Sequence, residues 1–404
     1  MRILVHDYPG HPFPVQLTRE LARRGHVARH QFFGAFQAPK GAVARRPDDP
    51  EGFEVECLEL GEAFAKYSFL KRRAQERRLG ALAAARLREF RPDVLLAGNA
   101  PLDIQAALQA EARRQGIPFV FWLQDLYSVA IDRIMRRRLP VLGALIGRHY
   151  IALERRLLRR SDAIVTITED FRPTLLSWGV EADRLRIEPN WAPLDEIPLA
   201  PRDNEWARDL DLVGKRVLLY AGTMGLKHNP ALIADLAQAF AGEPVVRVLV
   251  VSEGLGAQWL TEESARRRLA NLTVLPFQPY ARVPDMLAAA DVLVSILEPD
   301  AGAFSVPSKV LAYLCAGRPV LAAIPAANQA ARLISEGGFG LVAEPADTAG
   351  FITAAQRLMR DPALRTEMGA RSRHHAEIAF DMTAIGDRFE AVLTSVLSGR
   401  RPAA

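Results

Sequence analysis

Hydrophobic and polar positions along this 404-residue chain repeat one alternation twice. "RILVH" (2–6) reads as a buried strand. "PVQLTRELARRGH" (14–26) then carries Val15, Leu17, Leu21 and Ala22 on one helical face, with Gly25 as its stop. "RPDVLLAG" (91–98), "PFVFWLQD" (118–125) and "DAIVTIT" (162–168) are further short apolar runs, each preceded by a helical segment. Such strands are buried on both faces, so the pattern predicts a parallel sheet covered by helices on each side. The stretch 191–214, "WAPLDEIPLAPRDNEWARDLDLVG", interrupts it with prolines and polar residues and reads as a linker followed by a short helix. The alternation restarts with "RVLLYAG" (216–222), "VRVLVVSEG" (246–254), "NLTVLPF" (271–277), "DVLVSIL" (291–297) and "PVLAAI" (319–324). The expected architecture is therefore two Rossmann-like, doubly wound α/β domains facing a crevice. They span 1–195 and 215–380, joined by a linker at 196–214. A last helix within 381–404, at about 382–398, is expected to pack back on the first domain. Ligands of such sheets bind beyond the carboxyl ends of the strands.

Composition changes this picture little. The chain is 49% apolar and 25% charged, as in ordinary soluble proteins. The opening apolar run is too short for a signal peptide, and no stretch approaches the roughly 18 uncharged apolar residues of a spanning helix. Cys57 and Cys315 stand in different halves, each in an apolar context that reads as packing. A reducing cytoplasm, with neither disulfide nor zinc site, is expected.

Charge changes it more. The net charge of +5 conceals 20 Lys/Arg against 8 Asp/Glu between 66 and 160, whereas the chain from 201 onward is balanced. "RIMRRRLPVLGALIGRHYIALERRLLRR" (133–160) sets an apolar stretch, Leu139 to Ile146, between two basic clusters. That combination suits the surface of an anionic membrane, and the 66–160 region is the expected contact. Aromatic interleaving and nucleic-acid motifs are absent, so nucleic acid is not expected as a partner.

Two stretches in the second half point to phosphate. In "AGTMGLKHNP" (221–230), Gly222 and Gly225, with Thr223 between them, let a backbone approach a ligand after a strand, and Lys227 follows at the start of a helix. In "FSVPSKVLAYLCAGRP" (304–319), a strand leads through a tight loop into a helix. Pro307 suits a first helical turn, while the N–H groups of Ser305, Val306 and Ser308 are candidates to cup a phosphate. Lys309 adds a full positive charge at that end. A cation at a helix N-terminus opposes the dipole, by under about 1 kcal/mol, which invites a ligand explanation for both lysines. Three other signals are set aside. "DLD" (209–211) lies in the linker region, "EGLGAQ" (253–258) lacks the third glycine of a dinucleotide fingerprint, and His374–His375 has no acidic partner at metal spacing.

With these motifs in order, the chain resembles the family-4 glycosyltransferases of GT-B fold, in particular the bacterial branch that builds surface polysaccharides. The resemblance covers nearly the whole length. It rests on "DYPGHPFPVQLTRELARRGH" (7–26), "FWLQDLYS" (121–128), "RRSDAIVTITEDFRPTLLSWGV" (159–180), "IEPNWAPLDE" (187–196), "LYAGTMGLKHNP" (219–230) and "SVPSKVLAYLCAGRPVLA" (305–322). It implies retaining, metal-independent transfer of a sugar from a nucleotide-sugar donor, bound by the second domain, to a hydroxyl of a glycan or lipid-linked acceptor on the first. The nucleotide-sugar is a substrate, and no cofactor is implied.

With no metal to neutralise the departing diphosphate, cations and N–H groups must do so. The resemblance assigns that role to Lys227 and Lys309. It brings Gly10 close to the donor phosphate and gives the nucleobase to the loop bearing Phe277 and Gln278. On the acceptor side it implies Gln124 and Asp125, the latter orienting the acceptor hydroxyl. His11 and, at the hinge, Thr168, Glu169 and Asn190 are further candidates. Related enzymes carry two acidic residues where this chain has Phe304 and Ala312; Glu298 and Asp300 are the nearest substitutes. Two alternatives stay open: a GT-B sugar-nucleotide epimerase, and a catalytically silent GT-B subunit that binds a partner enzyme or glycan.

Overall fold

The computed structural model describes residues 1–36, 40–65, 68–225, 228–299 and 306–399. The chain forms two compact units: residues 1–190 with the segment from Met382 onward, and residues 191–381.

The first unit is built on strands β1 (Arg2–Asp7), β2 (Val27–Phe33), β3 (Phe53–Leu58), β4 (Val94–Gly98), β5 (Phe119–Leu123), β6 (Ala163–Thr166) and β7 (Leu185–Ile187). Its helices are α1 (Pro12–Arg23), α2 (Phe69–Phe90), α3 (Leu102–Arg114), α4 (Tyr127–Arg138), α5 (Pro140–Arg160) and α6 (Arg172–Ser177). The strands pair in parallel in the order β3-β2-β1-β4-β5-β6-β7, so the winding reverses between β1 and β4. β4 and β5 are buried along their whole length, as their uninterrupted apolar sequences require.

The second unit begins with α7 (Glu205–Asp209) and strands β8 (Arg216–Ala221), β9 (Val246–Val251), β10 (Leu272–Leu275), β11 (Val292–Ile296), β12 (Val320–Ala323) and β13 (Gly340–Ala343). Its remaining helices are α8 (Pro230–Ala239), α9 (Leu255–Arg267), α10 (Val283–Ala288), α11 (Lys309–Cys315), α12 (Gln329–Gly337), α13 (Thr348–Arg360) and α14 (Pro362–Ala379). The order is β10-β9-β8-β11-β12-β13, again parallel, with its reversal between β8 and β11.

The last helix, α15 (Met382–Ser398), belongs to the first unit. Phe389, fully buried, sets its ring 4.9 Å from that of Trp122. Arg24, just past α1, donates to Asp387 at 2.6 Å, Glu390 at 3.0 Å and the Thr383 carbonyl at 2.7 Å. Residues 196–214, expected as a linker, lie within the second unit. Trp206 and Ala207 are buried there, Asn204 caps α7 through Ala207 N, and Arg373 donates to the Ile197 carbonyl.

Cys315 is buried, but Cys57 is exposed, contrary to the packing role expected of it. In edge strand β3 only the end residues Phe53 and Leu58 are buried, and Cys57, although on the same face as Phe53, stands exposed near the end of the strand beside Glu59.

Candidate active site

In each unit, chemistry-bearing residues gather where the strand order reverses, because there the loops after two adjacent strands lead to opposite sides of the sheet and leave a space.

In the second unit those strands are β8 and β11. The Tyr313 hydroxyl joins their carboxyl ends: it accepts from Ala221 N–H at 3.1 Å and lies 3.1 and 3.2 Å from the Ala221 and Val294 carbonyl oxygens. Tyr313 thereby fixes α11 over the switch point. Lys309, the first residue of α11, reaches the end of β8, and its ammonium lies 3.6 Å from the centroid of the buried Tyr220 ring. A Cβ on Gly222 would stand 3.2 Å from Lys309 Cε and 3.3 Å from Nζ, and Gly222 has φ +127. Two residues from motifs some 90 positions apart thus occupy one place. Tyr220 also donates to the Thr223 carbonyl at 3.0 Å, and Gly225 N–H donates to His228 Nδ1 at 3.0 Å.

α11 starts at Lys309, two residues later than its sequence suggests. Val310 N and Leu311 N bond to the Pro307 and Ser308 carbonyls, and the Ser308 side chain makes no cap. Val306 precedes this tight turn. Glu298 follows β11 at its carboxyl end. Ala312 is half-buried on α11. Lys227, Asp300, Phe304 and Ser305 lie outside the described residues. Phe277 N–H faces Glu253 at 3.4 Å. The Gln278 amide is engaged within its own unit, accepting from Trp206 Nε1 at 3.0 Å and donating to the Pro276 carbonyl at 3.0 Å.

In the first unit the switch strands are β1 and β4. Asp7, buried at the end of β1, accepts from Asn99 Nδ2 at 2.9 Å and from His11 N–H at 2.5 Å. Burial pushes the Asp7 carboxyl upward, against the pull of His11, Asn99 and backbone N–H groups. Gly10 turns the chain with φ +76; a Cβ there would meet the Phe32 ring at 3.1 Å. His11 then precedes α1, its Nδ1 buried without a hydrogen-bond partner. Asn190 Nδ2 donates to Gln124 Oε1 at 2.5 Å, joining two acceptor-side candidates. Asp125 follows, half-buried. Thr168 accepts from Asp170 N–H at 3.1 Å and so caps the short turn containing Glu169.

Glu154 escaped the sequence reading. Fully buried on α5, it accepts from Tyr127 N–H at 3.2 Å, Ser128 N–H at 3.1 Å and the Ser128 hydroxyl at 2.5 Å. It thereby caps α4. Burial pushes Glu154 up to about 7, against those hydrogen bonds, with the Asp125 charge adding to the rise. A lone acid among the arginines of "IALERRLLRR" was its only signal. Asp7 was missed as well, although it carried a clearer signal, a carboxylate that ends a strand before a glycine turn. Among the described residues no group of three His, Cys, Asp or Glu is placed to hold a metal ion.

Two parallel units of this order define the GT-B glycosyltransferase architecture. The model of the glycosyl transferase 4-like domain matches residues 12–191, and that of glycosyl transferases group 1 matches residues 215–361. The chain belongs to the family-4 glycosyltransferases. It is 24% identical over 328 residues to the putative colanic acid biosynthesis glycosyl transferase WcaI of Escherichia coli K12, covering 80% of this chain and 76% of that one. It is also 24% identical over 275 residues to the probable glycosyltransferase WbjE of Pseudomonas aeruginosa, 64% of each chain. Among solved structures, Anabaena HepE in complex with UDP and glucose superposes with a TM-score of 0.72 at 17% identity, covering 98% of this chain and 100% of that one. The sucrose-phosphate synthase of Thermosynechococcus elongatus does so with 0.73 at 15%, covering 99% and 100%. At these identities the structural likeness is one of fold.

Proposed function

We propose that this protein is a retaining, metal-independent glycosyltransferase. It moves a sugar from a nucleotide-sugar donor to a hydroxyl of a glycan or lipid-linked acceptor, in the synthesis of a cell-surface polysaccharide. The observation that carries this reading is Lys309 beside Gly222 at the switch point of the second unit. It supplies a fixed cation and an open backbone where a diphosphate is expected. Gly222, Thr223, Gly225, Val306, Pro307, Ser308 and Lys309 bind the donor, joined by Lys227 and Ser305. Phe277 and Gln278 border the nucleobase, Glu298 the sugar or ribose, and Gly10 approaches the donor from the first unit. His11, Gln124, Asp125 and Asn190 serve the acceptor. As the glycosidic bond to the leaving diphosphate breaks, negative charge gathers on phosphate oxygen and is met by Lys309. In same-face transfer that oxygen takes the acceptor proton, so no side-chain base is needed and Asp125 orients the hydroxyl. No resident cofactor enters.

HepE was solved with UDP, which makes UDP the first ligand to try. WcaI, named for colanic acid biosynthesis, supports the polysaccharide assignment. The basic 66–160 region supports work at the cytoplasmic face of a membrane with an anionic surface. Among the described residues no helix is long and apolar enough to cross a membrane. Calorimetric titration with a panel of nucleoside diphosphates tests the reading: at least one binds, and binding of none by the folded protein overturns it. The absence of a carboxylate at Ala312 favours one second reading, a silent subunit. It requires that same null result.

A further inference from the structure

The α4–α5 hairpin has an end with no evident role in the fold. Of α4, only Ser128 is buried. The helix is held by α5, where Gly143 and Gly147 let it come close: a Cβ on Gly143 would meet the Met135 carbonyl, and one on Gly147 would meet the Asp132 carboxylate. At the far end Leu139, Val141, Leu142 and Leu145 are 46, 82, 56 and 57% exposed. The outward face of α5 is apolar only in its first two turns. Beyond them it continues with Arg148, Arg155 and Arg156, all exposed, and on α4 the exposed Arg136, Arg137 and Arg138 adjoin the tip. Of the two acids in the hairpin, Glu154 is buried and Asp132 is bonded to Arg136 at 2.7 Å.

An apolar tip behind an arginine collar matches the layering of an anionic leaflet, acyl chains beneath phosphates. We propose that this hairpin is a wedge that inserts Leu139, Val141, Leu142 and Leu145 into an anionic bilayer, with the arginines at the phosphates. The inference rests on the membrane-facing reading above and narrows it from a broad basic region to one insertion point. α4 has 12 residues, which at about 1.5 Å per residue puts the tip about 18 Å from Tyr127, which follows Asp125 after one intervening residue, Leu126. An upright wedge would hold an acceptor hydroxyl well above the acyl chains, at the height of a saccharide carried on a lipid headgroup.

The test uses the full chain with Leu142→Cys labelled by an environment-sensitive fluorophore in a Cys57→Ser background, and an unlabelled Leu142→Asp/Leu145→Asp variant. Phosphatidylglycerol vesicles are expected to blue-shift the probe, and phosphatidylcholine vesicles are not. The double variant is expected to float with phosphatidylglycerol vesicles at least about tenfold less, with its thermal unfolding and UDP affinity unchanged. Part of the wild-type binding should survive about 1 M salt, where the Debye length is about 3 Å. An unshifted probe, or a double variant that floats like the wild type, overturns the wedge. So does sedimentation of the wild type as a dimer that the variant dissolves, since the tip would then face a second copy. Nucleoside-diphosphate titration without vesicles tests the transferase reading separately, so either can fail while the other stands.

Discussion

The Lys309 ammonium lies 3.6 Å from the centroid of the Tyr220 ring, although 89 residues separate the two in the chain. The contact lies wholly within the second unit, so the cation is positioned by that unit's own sheet. Lys309→Ala is expected to weaken nucleoside-diphosphate binding ten- to a hundredfold, about the 1.5–3 kcal/mol of a hydrogen bond to a charged group. Lys309→Arg should rescue little, because the planar guanidinium needs width that the approach to Gly222 does not offer. Calorimetry checks both, and full affinity in the alanine variant would remove Lys309 from the donor site.

Gly222→Ala follows from the same geometry. Its methyl group would press on Lys309 Cε at 3.2 Å, and φ +127 is a conformation that side-chain-bearing residues rarely adopt. The strain is of order 1–3 kcal/mol. The variant should show a lowered melting temperature together with weakened diphosphate binding. Loss of stability alone, with unchanged affinity, would make Gly222 a purely structural glycine.

How much of this was legible in advance depends on what signal each element carries. β4 and β5 are uninterrupted apolar runs, and β8, β9 and β11 depart from one only at Arg216, Arg247 and Ser295, so all five announce themselves. β2 does not, since its interior includes His30 and Gln31, both buried. β3 is an edge strand buried only at its two ends, and β7 and β13 have only 3 and 4 residues. Gly222 and Lys309 stood out through backbone and dipole arguments, but their juxtaposition needed the strand order. Glu154 was invisible because nothing local says that a glutamate on α5 will cap α4. The bond between Trp206 and the Gln278 amide was likewise hidden, because Trp206 lay in a segment read as linker.

Glu154 predicts a pH dependence. Its folded pKa, about 7, is raised above the ordinary 4.5 by burial. The folded state therefore favours the protonated form. The resulting stabilisation is complete below about 4.5 and is lost as pH rises through about 7, by an amount on the order of a few kcal/mol. Urea unfolding of the wild type from pH 5 to pH 8 should show this decline in the first unit. In Glu154→Gln, which has no charge to gain, the decline should flatten. Parallel curves would show that another group is responsible.

The C-terminal helix predicts a contrast in magnitude. Phe389 is fully buried against Trp122, so Phe389→Ala should cost about 3–5 kcal/mol in unfolding of the first unit. Arg24 binds Asp387, whose side chain is 66% exposed, and removing that partner by Asp387→Ala should cost under about 1 kcal/mol. Denaturant titration of both variants measures the difference. Equal costs would mean that α15 is held by its ion pairs rather than by its apolar face.

Asp125 distinguishes orientation from proton removal. A side chain that takes a proton in the transition state usually contributes 10²–10⁴-fold, a loss that Asp125→Asn would expose. In same-face transfer the leaving phosphate takes the proton, and asparagine can still hold a hydroxyl. The expected loss is then only about tenfold in kcat/KM for the acceptor, near one neutral hydrogen bond, with diphosphate affinity unchanged. Measuring transfer to acceptor, donor hydrolysis and diphosphate binding on the same preparation separates these terms. A fall of about a thousandfold in transfer with intact donor binding would make Asp125 a base and overturn the same-face assignment.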